Sequence, residues 1–347
     1  MSIELLDLMA RDGFEQIVAL RDRRSGLRAF LAVHDTSAGP AFGGIRRWSY
    51  YDEHSALRDC MRLARGMTYK CALADLPAGG AKLVLLERSD LDLQSAYEFI
   101  GRTVEHFGGR FYTGPDVGTN AEQLGWVAQH TRFVTDPGAG GPGLLAEATS
   151  AGVVAGIGAA LRHVDGNEDW PARTIVVQGL GEVGGRVAQS LRELGARVMA
   201  SEIDAELARS FTAAHDLEAL DPSAEFDQPC DVFVPCALGG ILHDLSLTRL
   251  RCRIVAGAAN NVLATPTHGD RLHERGVLYV PDFALNSGAL IRGARFHIDG
   301  VREPVASIAQ RIGVVVEQLL QRSTHEGLAP VRVAERSAEA WLARKHG

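Results

Sequence analysis

Halfway along the chain, a short run that reads as a buried strand, TIVVQ at 174–178, leads directly into Gly179-Leu180-Gly181-Glu182-Val183-Gly184. A helical stretch follows to near Gly195, then a second strand at 196–201 that stops at Glu202. A strand, G-x-G-x-x-G, a helix and a second strand ending in an acid about 20 residues on make up the full dinucleotide-binding fingerprint. Gly179 permits the tight turn, Gly181 lets backbone approach a pyrophosphate, and Gly184 lets helix pack closely on strand. The helix N-terminus offers unpaired N–H groups and the positive end of its dipole to phosphate. In a chain with 38 glycines a bare motif would carry little weight; its setting between two strands carries the assignment. The fingerprint forces a parallel, helix-covered sheet on the second half of the chain. It also leaves more than 150 residues ahead of it with a separate task.

Length and composition agree with a two-domain enzyme. The 347 residues suffice for two domains, and 46% hydrophobic with 23% charged residues is an ordinary globular profile. A net charge of −7 argues against nucleic acid or an anionic membrane as the main partner. The five cysteines (Cys60, Cys71, Cys230, Cys236, Cys252) form no CxxC pair and no ligand spacing, so reduced thiols and no metal site are expected. Cys236 reads as a small buried thiol, and none of the 12 histidines is given a role. The first residues carry acids among apolar groups and lack a signal peptide's basic start, and no apolar run is long enough to span a bilayer. A cytoplasmic location is the expectation.

In the first half, 27–34 and 82–87 read as strands and 111–113 as a short one, with helices at 53–73 and 93–107 and a glycine-rich loop at 39–44. Residues 135–143 (TDPGAGGPG) read as a hinge or active-site loop, and a small-residue helix at 149–163 leads to the fingerprint. Beyond Glu202, strands at 232–235, 254–256 and 278–280 alternate with helices, followed by helical stretches at 305–321 and 331–345. The fold class is α/β: an N-terminal α/β substrate domain with a mixed sheet, then a Rossmann-type doubly wound domain.

Three ionisable residues of the first half sit at element ends beside glycines: Lys70 after Gly66, Lys82 after Gly79-Gly80, and Asp116 after Gly114. Taken singly, each reads as a surface charge. Together, upstream of a nucleotide domain, they suit a small carboxylate substrate. One ammonium would hold the carboxylate, and the other, desolvated beside a like charge, would act as a general base.

The blocks PAFGGIRRW, LARGMTYKCALADLPAGGAKLVL, TGPDVGTN, QGLGEVG, PCALGGIL, AGAANNVL and PDFALNSGAL, in this order over roughly 25–300, resemble those of the glutamate/leucine/phenylalanine/valine dehydrogenases, nearest the leucine, valine and phenylalanine branch. The resemblance implies NAD(P)-dependent oxidative deamination of an L-amino acid to its 2-oxo acid and ammonia, and the reverse. It implies a substrate and oligomerisation domain over 1–138, a nucleotide domain over 139–324, and a C-terminal helix from about 325 packing back on the first. Hinge closure and a homo-oligomer of two to eight subunits are expected with it.

Residue by residue, the resemblance makes Lys82 the catalytic lysine that activates water and Asp116 the group exchanging a proton with the amino nitrogen. Lys70 would bind the carboxylate with backbone at Gly43 and Gly44, beside Met67. Asn260 would hold the substrate or the nicotinamide amide. Arg46, Thr149, Ala258 and Ala259 would lie near the cofactor, with Ile203, Ala237 and Leu238 about its adenosine half. Glu202 would take the ribose hydroxyls and repel a 2′-phosphate, which favours NAD. Phe42, Gly114, Pro115, Leu285, Ser287, Ala289 and Leu290 are the candidate side-chain selectors, chosen by their proximity to these motifs. They are apolar or small, so glutamate is disfavoured, and a glycine at 114 would leave room for a large ring. A large hydrophobic or aromatic amino acid is expected over valine. Where the family commonly has Pro-Ser before the Thr of this helix, the chain reads Leu145-Ala146, so a hydroxyl contact to the cofactor is missing. Two alternatives stand beside this reading: an NAD-dependent oxidoreductase of a non-amino-acid substrate, and a catalytically silent NAD-binding relative. The second would be free to lose Lys82 and Asp116, and this chain has both.

Overall fold

A computed structural model describes residues 4–135 and 140–346. It divides into two compact units, Met1–Gly143 with Gly293–Arg302 and Ala338–Gly347, and Leu144–Arg292 with Glu303–Ser337. Residues 136–139, inside the expected hinge, lie outside the described residues. Among the described residues no helix is long and apolar enough to cross a membrane.

The first unit runs α1 (Leu5–Asp12), β1 (Gln16–Arg21), β2 (Arg28–Asp35), β3 (Ala41–Phe42), β4 (Ile45–Trp48), α2 (Glu53–Leu73), β5 (Gly79–Leu86), α3 (Leu93–His106), β6 (Phe111–Tyr112) and α4 (Ala121–Ala128). Its mixed sheet has the order β1-β2-β5-β3-β6, with β4 also on β5. The pairs β1–β2 and β2–β5 are antiparallel, whereas β3 and β4 lie parallel to β5. The expected 39–44 loop is therefore partly strand: Ala41 and Phe42 pair with Gly79 and Gly80 on one side and with Phe111 and Tyr112 on the other.

Alternation along the strands separates two faces. Leu31, Leu83, Leu85 and Ile45 pack with Tyr97, Ile100, Leu124 and Val127 of α3 and α4. On the opposite face Ala32 and Val84 pack against Ala56, Cys60 and Ala64 of α2. Each fully buried Leu or Ile contributes about 1.5–3 kcal/mol through this burial. Helix α2 starts where Asp52 accepts from the Ser55 N–H at 2.7 Å, and it ends before Asp75, whose φ is +46°. Lys70 thus lies in the last turn, where carbonyl ends favour a cation.

Near that face His34 is enclosed, its Nδ1 2.8 Å from the Thr68 hydroxyl and its Nε2 3.2 Å from the Asp12 carbonyl. Burial lowers it from 6.5 to about 4. The unfolded chain therefore takes up this proton below about pH 6.5, and the folded chain only below about 4. Acidification through that window should remove up to about 3 kcal/mol of stability. Urea unfolding of wild type and His34→Asn from pH 7 to pH 4 checks this, the variant losing less over the window; parallel losses would refute it.

The second unit comprises α5 (Leu145–Asp165), β7 (Thr174–Gln178), α6 (Glu182–Glu193), β8 (Arg197–Ser201), α7 (Ala205–Ala214), β9 (Glu218–Ala219), β10 (Cys230–Pro235), α8 (Asp244–Arg249), β11 (Cys252–Val255), α9 (Thr267–Glu274), β12 (Leu278–Tyr279), α10 (Asp282–Leu285), α11 (Gly288–Asp299), α12 (Val305–Glu326) and α13 (Pro330–His346). Helices α11 and α13 each pass from this unit into the first. The six strands are parallel, in the order β12-β11-β10-β7-β8-β9. Read from β9, this is the doubly wound 3-2-1-4-5-6 order, whose switch point falls between β7 and β10. Helix α5 begins at Leu145, ahead of the expected start at Thr149.

Candidate active site

Strand parity places the first-unit candidates on one face. Lys82 shares the α2 side of β5 with Gly80 and Val84, and Phe42 pairs with Gly80, Tyr112 with Phe42, and Arg46 with Val84. The Gly43–Gly44 step lets three chain segments meet here. A Cβ on Gly43 would stand 1.7 Å from the Ala81 carbonyl oxygen, and one on Gly44 2.4 Å from that of Pro115. Ile45 N–H donates to the Gly114 carbonyl at 3.0 Å, and Leu83 N–H to that of Gly44 at 3.3 Å. This stitching brings the 113–119 turn, and with it Asp116, over Lys82.

The Lys82 ammonium forms an ion pair with Asp116 Oδ2, with side chains only 7% and 9% exposed. The same oxygen lies 3.3 Å from Arg46 Nε, and the Val117 N–H donates to Oδ1 at 2.7 Å. Burial alone would push the Asp116 carboxyl up. The charges of Lys82 and Arg46, with the bonds from Lys82 and Val117, outweigh it and hold the carboxyl well below the usual carboxylate range. Lys70 is also buried, one helical turn beyond the half-buried Met67. The structure thus gathers Lys82, Asp116, Arg46, Gly43, Gly44 and Pro115 into one cluster. Its chemistry is that of a water-poor site with a paired amine and carboxylate, suited to moving protons beside a bound anion.

In the second unit the fingerprint has the shape its residues imply. Gly179 has φ +88°, and its Cα lies against Ala237, which follows β10. A Cβ on Gly184 would stand 2.0 Å from the Gly179 carbonyl oxygen, whereas one on Gly181 would meet nothing within 4 Å. Gly181 caps α6 without any side-chain bond, so no cap side chain takes up the first-turn N–H groups. A cradle that is open only at Gly181, at a strand switch point and a helix N-terminus, fits a pyrophosphate. Glu202 ends β8 with its carboxylate accepting from Leu180 N–H at 2.9 Å and Asp204 N–H at 3.2 Å. Ile203 and Leu238 are exposed beyond the ends of β8 and β10. Glu182 and Val183 open α6, and Ala258 and Ala259 follow β11.

Comparison with known proteins agrees with both halves. The Glu/Leu/Phe/Val dehydrogenase dimerisation domain matches residues 15–133, and the Glutamate/Leucine/Phenylalanine/Valine dehydrogenase domain matches 140–206 and 202–294. The chain belongs to this family. It is 36% identical to leucine dehydrogenase of Bacillus subtilis over 346 residues, 99% of this chain and 95% of that protein. It is 35% identical to phenylalanine dehydrogenase of Bacillus thermotolerans over 333 residues, 94% of this chain and 87% of that one. Among solved structures, L-tryptophan dehydrogenase from Nostoc punctiforme superposes with a TM-score of 0.82 at 32% identity, covering 99% of each chain.

Several expected site residues of this family member have different surroundings from those anticipated. Arg46, expected beside the cofactor, bonds Asp116 and, at 3.0 Å, Asp59 of α2. The Thr149 hydroxyl donates to the Leu145 carbonyl at 3.2 Å and accepts from Ala289 N–H at 3.1 Å, so it ties α5 to the start of α11. Leu285, expected as a selector, is fully buried in the second unit's core. A Cβ on Gly156 would come 2.1 Å from its Cδ2, so Leu285 fills the space that glycine leaves on α5. Ser287 and Leu290 are buried too, and Ala289 is half-buried. The room expected beside Gly114 is held by Thr135, whose Cβ would lie 3.3 Å from a Cβ placed on that glycine. Burial pushes the Cys236 thiol up to about 12, in keeping with an inert thiol.

Other residues join the site that sequence reasoning did not name. Tyr112 stacks on Phe42 with centroids 5.0 Å apart and planes 11° apart. His297 of α11 lies 4.8 Å from the Tyr112 ring, and its Nε2 is 3.1 Å from the Thr135 hydroxyl. Burial lowers the His297 imidazole, which favours its neutral form. Asn286 donates to the Ala258 carbonyl at 2.9 Å and to Asn260 Oδ1 at 3.1 Å, so it orients Asn260. Asn286 left a trace in sequence inside the PDFALNSGAL block, and Thr135 as the first residue of the 135–143 loop. His297, Thr135 and Asp59 are joined to their partners by folding alone.

Proposed function

We propose that the chain is an NAD-dependent L-amino-acid dehydrogenase that reversibly deaminates a hydrophobic (aromatic or large aliphatic) amino acid to its 2-oxo acid and ammonia. The observation that carries this is the buried Lys82–Asp116 pair, set beside the Gly43–Gly44 step on the sheet face that α2, the helix of the buried Lys70, covers. Relatives that share the family act on leucine, phenylalanine and tryptophan by name.

Lys70 holds the substrate carboxylate as a point charge, with backbone at Gly43 and Gly44. Lys82 takes a proton from the water that adds to the substrate carbon, and Asp116 exchanges one with the departing nitrogen. The dinucleotide, when bound, supplies the hydride acceptor. Gly179, Leu180, Gly181, Glu182, Val183 and Gly184 would hold its phosphates, with Thr149, Ala258, Ala259 and Asn260 about its nicotinamide half. Glu202, flanked by Ile203, Ala237 and Leu238, would take the adenosine ribose and select against a 2′-phosphate. The substrate side chain lies toward Phe42 and Tyr112, whose rings offer apolar faces, with Gly114, Pro115, Ser287, Ala289 and Leu290 as the remaining selectors. The assembly is a homo-oligomer built through the first unit.

The test is absorbance at the NADH band with NAD and a panel of L-amino acids, then with 2-oxo acids, ammonium and NADH. Phenylalanine, tryptophan or leucine should turn over, and glutamate should not. Absence of turnover with every hydrophobic member in both directions would sink the proposal.

A further inference from the structure

Arg46 stands between two carboxylates. Its Nε is 3.3 Å from Asp116 Oδ2 and its Nη1 is 3.0 Å from Asp59 Oδ2, with the arginine and Asp59 side chains each 16% exposed. The Tyr50 hydroxyl donates to the same Asp59 oxygen at 2.6 Å, and Arg62 approaches the other at 3.5 Å from the rim. Arg46 is held protonated: burial opposes its charge, but Asp116 and Asp59 outweigh that. The chain thus uses β4, α2 and the turn before α2 to place one permanent cation against the carboxylate that also pairs with Lys82.

A buried amine–carboxylate pair with nothing else nearby shares one proton, and either member can carry it. A second, non-titrating cation on the carboxylate removes that ambiguity, since an arginine stays charged throughout the working range. We propose that Arg46 is a positioning residue that keeps Asp116 the anion of the resting pair and through water addition, so that the proton taken from water resides on Lys82 and Asp116 is left to exchange one with the nitrogen as it departs. Asp59 and Tyr50 hold Arg46 in place for this. The inference rests on the reading of Lys82 as the base. As the water O–H bond breaks and its oxygen bonds the iminium carbon of the substrate, the C=N π pair moves onto nitrogen and the new N–H bond forms on Lys82, while Asp116 remains a carboxylate in this step. Among the ionisable groups on the elements packed about Lys82 are Asp59, Cys60, Arg62 and Lys70 on α2, Tyr50 before it, Arg47 on β4, and His34 and Asp35 on β2. The Cys60 thiol donates to the Lys82 carbonyl at 3.2 Å and is pushed up to about 12 by burial. Burial, reinforced by Asp59, likewise raises the Tyr50 hydroxyl. Neither group competes for the proton near neutrality.

The experiment is the pH profile of kcat/KM for deamination in wild type, Arg46→Gln and Arg46→Lys. Without Arg46, the Asp116 charge is opposed by Lys82 alone and the pair keeps its proton to higher pH. The acid limb of Arg46→Gln should therefore move up by roughly one to two pH units, a tenfold loss per unit at the wild-type limb, and Arg46→Lys should return it toward wild type. A lowered rate with an unmoved limb in Arg46→Gln would show a merely structural arginine and overturn the proposal. If Arg46→Gln does not fold, infrared difference spectra of wild type across its activity profile decide. No protonated-carboxyl band that vanishes in Asp116→Asn is expected, and such a band would overturn the proposal. If no amino acid is turned over at any pH, the functional reading fails, and the infrared measurement still decides which member holds the proton.

Discussion

Lys82→Ala should abolish deamination while leaving dinucleotide binding intact. Losing a positioned base costs about 10²- to 10⁴-fold, and neither Asp116 nor Cys60 substitutes for it. Asp116 is held far into its anionic range, and the Cys60 thiol is pushed up to about 12. Removing one partner of a buried pair usually leaves a stranded charge, which is strongly destabilising. Asp116 keeps Arg46 at 3.3 Å and the Val117 N–H at 2.7 Å, so this variant should still fold. The glycine cradle belongs to the other unit and does not sense the change. Initial rates, thermal melting and a fluorescence titration with NADH check the three parts. A wild-type rate in the variant would remove Lys82 from the mechanism.

The second large effect separates two glycines of the fingerprint. In Gly184→Ala the new methyl would sit 2.0 Å from the Gly179 carbonyl oxygen and 2.8 Å from Cys236 Cβ. Neither is the free end of a flexible side chain, so α6 must shift off β7. Overpacking of this kind costs roughly 1–3 kcal/mol or more, and both melting temperature and dinucleotide affinity should drop. In Gly181→Ala the methyl meets nothing within 4 Å, and the residue's φ of −62° suits alanine. The fold should melt as wild type does, while the methyl stands where the phosphates approach and weakens binding at least tenfold. Paired denaturation and titration curves distinguish the two; equal stability loss in both would refute this account of the cradle.

Much of the fold was legible because its signals are local. The strand, glycines and helix at 174–193 announce themselves within a short stretch of chain, and α2 and α3 follow from apolar spacing. The two-residue strand β3 was not legible, because its pairing depends on Gly79–Gly80 and Phe111–Tyr112 far along the chain. Lys70, Lys82 and Asp116 were marked by the glycines beside them, whereas Leu285 was a candidate only by its nearness to a motif. Whether a leucine fills a glycine's notch or lines a pocket depends on the neighbouring helix, which no local pattern reports.

By itself the sequence determined that a strand–glycine–helix turn ending in Glu202 begins mid-chain, and that glycine-flanked lysines and an aspartate precede it. Those features are set by backbone geometry over a few residues and survive in any fold that contains them. Tertiary structure alone decided that Arg46 spans Asp116 and Asp59, that Thr135 occupies the space beside Gly114, and that residues 293–302 belong to the first unit and bring His297 to Tyr112. These depend on which segments become neighbours when two sheet faces are buried, and a charge or a ring acquires its task only from the partner that burial puts beside it.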